Sequence, residues 1–91
     1  AALSADSLAL SAHKLGGPQG VGALITAETF PLKRQMHGGG QEKGLRAGTE
    51  TVAGSAGFGA AAAASQRDLH FAAEQAAWRD VAAERLKAGA E

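Results

Sequence analysis

Ser11, His13 and Lys14 place a hydroxyl, an imidazole and a primary amine within four consecutive residues of a 91-residue chain. A lysine amine is a nucleophile that condenses with an aldehyde to give a Schiff base. A hydroxyl and an imidazole beside it supply hydrogen-bond donors for an anion. The other reading of Ser11-Ala12-His13-Lys14 is a loop lysine in solvent, next to a serine and a histidine that merely cap a turn. A short apolar run, Leu8-Ala9-Leu10, leads into the tetrapeptide, and Leu15-Gly16-Gly17-Pro18-Gln19-Gly20 leads out of it.

Among aldehydes, pyridoxal phosphate suits the amine, because it acts as an electron sink for charge at an amino acid's α-carbon. Its phosphate needs hydroxyls, backbone N–H groups and cationic or imidazole donors, the kind Ser11 and His13 offer. If a strand's alternation persisted through the tetrapeptide, Ser11 and His13 would project to one side. Other chemistry finds less support. Gly39 and Gly44 have the first spacing of a phosphate-binding P-loop, but Leu45 stands where that loop needs lysine. Gly17, Gly20 and Gly22 do not follow the dinucleotide-binding order. His13, His37 and His70 are far apart and lack acidic companions at ligand spacing, so no metal site is expected.

The elements that must position Lys14 follow from pattern. Leu8 and Leu10 alternate with small residues, so 7–11 reads as a strand. Residues 1–7 read as a turn running into it. Gly17-Pro18 marks a turn, and Val21 to Thr26 reads as a second strand ending in β-branched residues. The connection is too short for the crossover that parallel neighbours need, so the strands are expected to pair antiparallel. Residues 28–36 read as irregular. Residues 37–49 carry five glycines in 13 positions, too many for the interior of a helix or strand. This stretch reads as a shaped loop approaching a ligand or a partner.

From Thr51 the chain becomes alanine-rich, and a helix is expected over about 51–66, capped by Thr49 or Thr51. Gly54 and Gly57 cost that helix about 1 kcal/mol each against alanine when exposed, which is tolerable where another element packs very closely. A second helix is expected over about 69–88, capped by Asp68 and ended by Gly89, and continuous with the first through a bend near Arg67-Asp68. Phe71, Trp78, Val81 and Leu86 fall near one of its faces, and Asp80, Glu84 and Lys87 share another.

Composition bounds the rest. Apolar residues make up 45% of the chain, but 23 of those 41 are alanine. Alanine buries little area, so the core is expected to be thin and the chain to be a piece of a larger protein. Formal net charge is zero, with basic residues scattered, which argues against a nucleic-acid or anionic-membrane surface. There is no cysteine, and no apolar stretch approaches the roughly 20 residues of a membrane span. Neither a signal peptide nor a membrane anchor is read here, and the expected location is cytoplasmic.

Two stretches carry a family resemblance. Ser11-Ala12-His13-Lys14-Leu15-Gly16-Gly17-Pro18-Gln19-Gly20-Val21-Gly22-Ala23-Leu24 closely resembles the lysine segment of class V aminotransferase-like enzymes. His37-Gly38-Gly39-Gly40-Gln41-Glu42-Lys43-Gly44-Leu45-Arg46-Ala47-Gly48-Thr49 is similar to the second hallmark of the same group. Together, over about residues 5–60, they are most similar to the cysteine desulfurases of the NifS/IscS type. The resemblance implies an α/β fold, with this chain a fragment of the large domain of a fold-type I PLP-dependent enzyme: two strands, a glycine-rich loop, then helices. Residues 1–50 would supply strands and cofactor and dimer loops, and residues 51–91 helices leading toward the small domain.

The resemblance further implies that Lys14 holds pyridoxal 5'-phosphate and moves protons at the substrate, and that Ser11 and His13 bind the cofactor phosphate. Thr49 would reach the phosphate bound in the other subunit, which makes a homodimer with a shared site. The Gly38–Gly40 run and Arg46 would shape that crossing loop. For Arg46 an ion pair with Glu42 or Glu50 is the alternative reading. The implied reaction takes L-cysteine to L-alanine with sulfur passed through an enzyme persulfide to an acceptor or scaffold protein. The aspartate on the pyridine nitrogen and the histidine stacked on the ring would come from sequence before Ala1. The persulfide cysteine and the carboxylate-binding arginine would come from sequence after Glu91. The fragment alone is not expected to be active. A selenocysteine lyase, another class V aminotransferase, or a noncatalytic binding or structural fragment are the alternatives.

Overall fold

The computed structural model describes residues 4–90; the start of the turn read over 1–7 lies outside the described residues. Strand β1 (Ser7–Ser11) and strand β2 (Gly22–Thr26) pair antiparallel, with Leu8 opposite Ile25 and Ser11 opposite Gly22. The ladder is extended at one end, where the Ala27 N–H donates to the Asp6 carbonyl at 2.9 Å. At the other end the Ala12 N–H donates to the Val21 carbonyl at 3.1 Å, so Val21 closes the hairpin instead of opening β2.

Helix α1 (Val52–Arg67) begins at Thr51, whose extended backbone and side chain make it the N-cap: its hydroxyl oxygen accepts the Gly54 N–H at 3.3 Å. Of the two threonines read as possible caps, Thr51 takes the role. A Cβ on Gly54 would stand 2.9 Å from the Thr51 hydroxyl oxygen, so the small residue there leaves room for the cap itself.

Helix α2 (Ala72–Gly89) starts later than the pattern suggests, because a 3-10 turn occupies Asp68–Phe71. The two helices are joined through that turn, as a bend near Arg67-Asp68 requires. Asp68 makes no N-cap. The backbone stays helical at Arg67 and Phe71, so there is no extended residue from which a side chain could reach back to the first free N–H groups. Gly89 is the last helical residue of α2, and the extended Ala90 is the C-cap.

Only alanines are buried among the described hydrophobic residues: Ala12, Ala47 and Ala61. Each marks a place where two segments touch with almost no side chain between them. The larger apolar residues are half-buried, as Leu8, Leu10 and Phe58 are, or exposed, as Trp78, Val81 and Leu86 on α2 are. The thin core expected from composition is what the fold displays, and close backbone approach replaces side-chain interdigitation.

Candidate functional site

Strand β1 ends at Ser11, and a 3-10 turn over Ala12–Leu15 carries Lys14. The strand alternation that would have put Ser11 and His13 on one side therefore stops before His13. Gly16 ends the turn in the left-handed region at φ +88°, where a side chain would be strained. The Gly17 N–H returns to the Ala12 carbonyl at 2.8 Å.

That turn is seated on α1. A Cβ on Gly57 would lie 3.0 Å from Pro18 Cδ. One turn on, a Cβ on Gly17 would lie 3.2 Å from the Ala61 Cβ and 3.0 Å from the Ala12 Cβ. One turn further, the Ser65 hydroxyl donates to the Leu15 carbonyl at 3.3 Å. Residues 57, 61 and 65 recur every fourth position, which places them in one row on the helix. The row of small residues lets the turn approach the helix backbone, and the tolerance of Gly57 read from the sequence has its cause in Pro18.

The seat fixes the backbone of the turn and leaves its functional side chains outward. His13 and Lys14 are exposed and Ser11 is half-buried. Among the described residues none of the three side chains has a hydrogen-bond or ion-pair partner. A free amine for an aldehyde, with a hydroxyl and an imidazole within three positions of it, is a donor set that fits pyridoxal phosphate.

The glycine-rich stretch is folded rather than slack. Met36 and Arg46 form a β-bridge, and the Ala47 N–H donates to the Met36 carbonyl at 3.3 Å. The Arg34 side chain donates from Nε to the Gly44 carbonyl. The Gln41 side-chain oxygen accepts the Gly48 N–H at 3.3 Å. Thr49, immediately after, is exposed. Arg46 forms no ion pair with Glu42 or Glu50 among the described residues; its guanidinium instead lies beside Gly48, where a Cβ would stand 3.1 Å from the Arg46 terminal nitrogen.

Between β2, this loop and the start of α1 runs an open groove of about 570 Å³, lined in part by Lys33, Glu42, Arg46, Glu50 and Thr51. Neither the Ser11–Lys14 group nor Thr49 lines it. The residues singled out from the sequence thus occupy two places in the chain: Ser11, His13 and Lys14 on the seated turn, and Thr49 at the end of the folded loop. Sequence reading missed Arg34, Gln41 and Ser65. Only Ser65 had a signal available, its four-residue spacing from Ala61 and Gly57.

The family described as Aminotransferase class-V matches residues 1–89. The chain belongs to that family. Members of the class V aminotransferase family use pyridoxal phosphate, in keeping with the donor set around Lys14. A cysteine desulfurase of Frankia sp. (strain EuIK1) is 61% identical over 59 residues, covering 63% of this chain and 14% of that relative. The cysteine desulfurase IscS of Clostridium botulinum (strain Hall) is 49% identical over 59 residues, covering 65% of this chain and 15% of that relative. Among solved structures, a NifS-like protein superposes with a TM-score of 0.73 at 41% identity, over 78% of this chain and 20% of its own length. The chain therefore spans about one-seventh of the curated relatives it matches, 14% and 15% of their lengths. Its α/β arrangement, two antiparallel strands and a glycine-rich loop followed by helices, is that of a large-domain segment of a fold-type I enzyme.

Proposed function

We propose that these residues form the lysine-bearing segment of a PLP-dependent cysteine desulfurase, which takes L-cysteine to L-alanine and passes the sulfur to an acceptor. The observation that carries the proposal is the Lys14 amine, exposed and without a partner among the described residues, on a turn held by Val21 on one side and α1 on the other. The names of the relatives in Frankia and Clostridium botulinum support the choice of substrate.

In this reading Lys14 Nζ would hold the cofactor at its aldehyde carbon, and the same amine would hold and move a proton at the substrate α-carbon. When bound, pyridoxal phosphate supplies the electron sink that makes that proton removable. The Ser11 hydroxyl and the His13 imidazole orient the phosphate as hydrogen-bond donors. Thr49 donates to the phosphate held by a second copy, which makes a homodimer part of the site. Its exposure, and its absence from the groove of its own chain, support a role toward a partner.

Residues 1–50 act as the cofactor and dimer segment, and residues 51–91 as the helices that lead toward a small domain. The chain has no cysteine, so the thiol that takes up sulfur as a persulfide lies outside these residues. A sulfur acceptor or scaffold protein would complete the transfer. No helix among the described residues is long and apolar enough to cross a membrane, and we place the enzyme in the cytoplasm.

The test is turnover by the complete protein carrying these residues. With L-cysteine and a thiol reductant it should release alanine and sulfide in equal amounts, and Lys14→Ala should abolish both. Alanine formation that survives Lys14→Ala would overturn the assignment. Turnover of L-selenocysteine with none of L-cysteine would move it to a lyase of the same family.

A further inference from the structure

We infer that Gln41 is a positioning residue for Thr49, acting through the Gly48 backbone. The inference rests on the proposed contact between Thr49 and a cofactor phosphate. Its starting point is the bond from the Gly48 N–H to the Gln41 side-chain oxygen, at 3.3 Å, which ties the backbone immediately before Thr49 to a residue seven positions earlier. Gly48 itself has φ +115°, a conformation open to glycine and strained for other residues. The backbone at this point is thus free to take many directions, and Gln41 selects one.

The rest of the loop indicates that the selection is built in. Glu42 and Lys43 are consecutive non-glycine residues at φ +51° and +56°. Two such residues in succession are costly and persist where surrounding contacts over-determine them. Those contacts are present: the Gly44 N–H donates to the Gln41 carbonyl at 2.9 Å, and the Arg34 side chain donates to the Gly44 carbonyl. The strained pair is therefore held at both ends, between Gln41 and Gly44. Met36 and Arg46 close the neck of the same loop. These contacts together fold the loop up to Gly48, the residue immediately before Thr49.

The experiment compares two probes, pyridoxal phosphate and pyridoxal, on the complete protein by equilibrium dialysis. The preference for the phosphate-bearing probe isolates the phosphate contacts. Gln41→Met keeps the side-chain length and removes the oxygen. It should lower the preference about threefold to tenfold, the range for one lost hydrogen bond, while borohydride still fixes the cofactor to Lys14. In a Thr49→Val background the same substitution should lower it no further, since Gln41 acts through Thr49. An unchanged preference in Gln41→Met, or an equal further loss on top of Thr49→Val, would overturn the inference. Hydrogen exchange at the Gly48 amide of the unaltered protein gives an independent reading: protection is expected, and exchange at the free rate overturns it as well. A protein whose preference is unchanged by Thr49→Val alone would overturn the underlying Thr49–phosphate reading, a separate outcome from failure of Gln41.

Discussion

The Ser65 hydroxyl donates to the Leu15 carbonyl at 3.3 Å, which ties α1 to the residue following Lys14 across fifty positions of sequence. With Ala61 against Gly17 and Gly57 against Pro18, it completes a row that seats the lysine turn on the helix. The backbone of the proposed nucleophile is thereby fixed by a helix that contributes none of the proposed chemical groups.

Removing the Ser65 hydroxyl should measure that tie. Ser65→Ala loses a half-buried hydrogen bond worth about 1 kcal/mol. It also gains a few tenths, ~0.5 kcal/mol or less, because alanine is the better helix former. The net expectation is a loss of about 0.5–1 kcal/mol in denaturant unfolding, with Ser65→Thr retaining the greater part of the stability through its hydroxyl. Equal losses in the two variants would mean that the hydroxyl is not what matters at this position.

Ala61 is the buried point of the seat, facing Gly17. Ala61→Leu forces extra methylenes between helix and turn and should cost about 1–3 kcal/mol. Because the displaced segment carries Lys14, the rate of borohydride-fixed cofactor incorporation should fall with stability, whereas Ala61→Ser, similar in size, should change both little. Unaltered incorporation in a destabilised Ala61→Leu protein would separate the seat from the lysine.

Much of this arrangement was legible in the sequence, for local reasons. Leu8 and Leu10 show the period of a strand, and the short connection to Val21 forces an antiparallel pair. Thr51 stands at the start of an alanine-rich run and caps it. The two motifs are contiguous stretches, so Lys14 and Thr49 could be proposed as site residues from residue order alone. The rest depends on contacts that leave no local pattern. The Ser65–Leu15 bond spans fifty positions, and alanines at 12 and 61 look like filler until the fold brings them together. The left-handed pair Glu42–Lys43 is hidden because charged residues ordinarily avoid that conformation. Asp68 has the chemistry of an N-cap but stands between helical Arg67 and the 3-10 turn, where it ends α1 instead, and Trp78, Val81 and Leu86, read as one apolar face, are exposed.

The central claim is that Lys14 is the residue to which the cofactor attaches. The most direct measurement is reduction of the complete protein with borohydride in the presence of pyridoxal phosphate, followed by digestion and peptide mass analysis. The account predicts the reduced pyridoxyl group on Lys14 alone, and no fixed label in Lys14→Ala. A label carried by Lys33, Lys43 or Lys87 with Lys14 unmodified would contradict it.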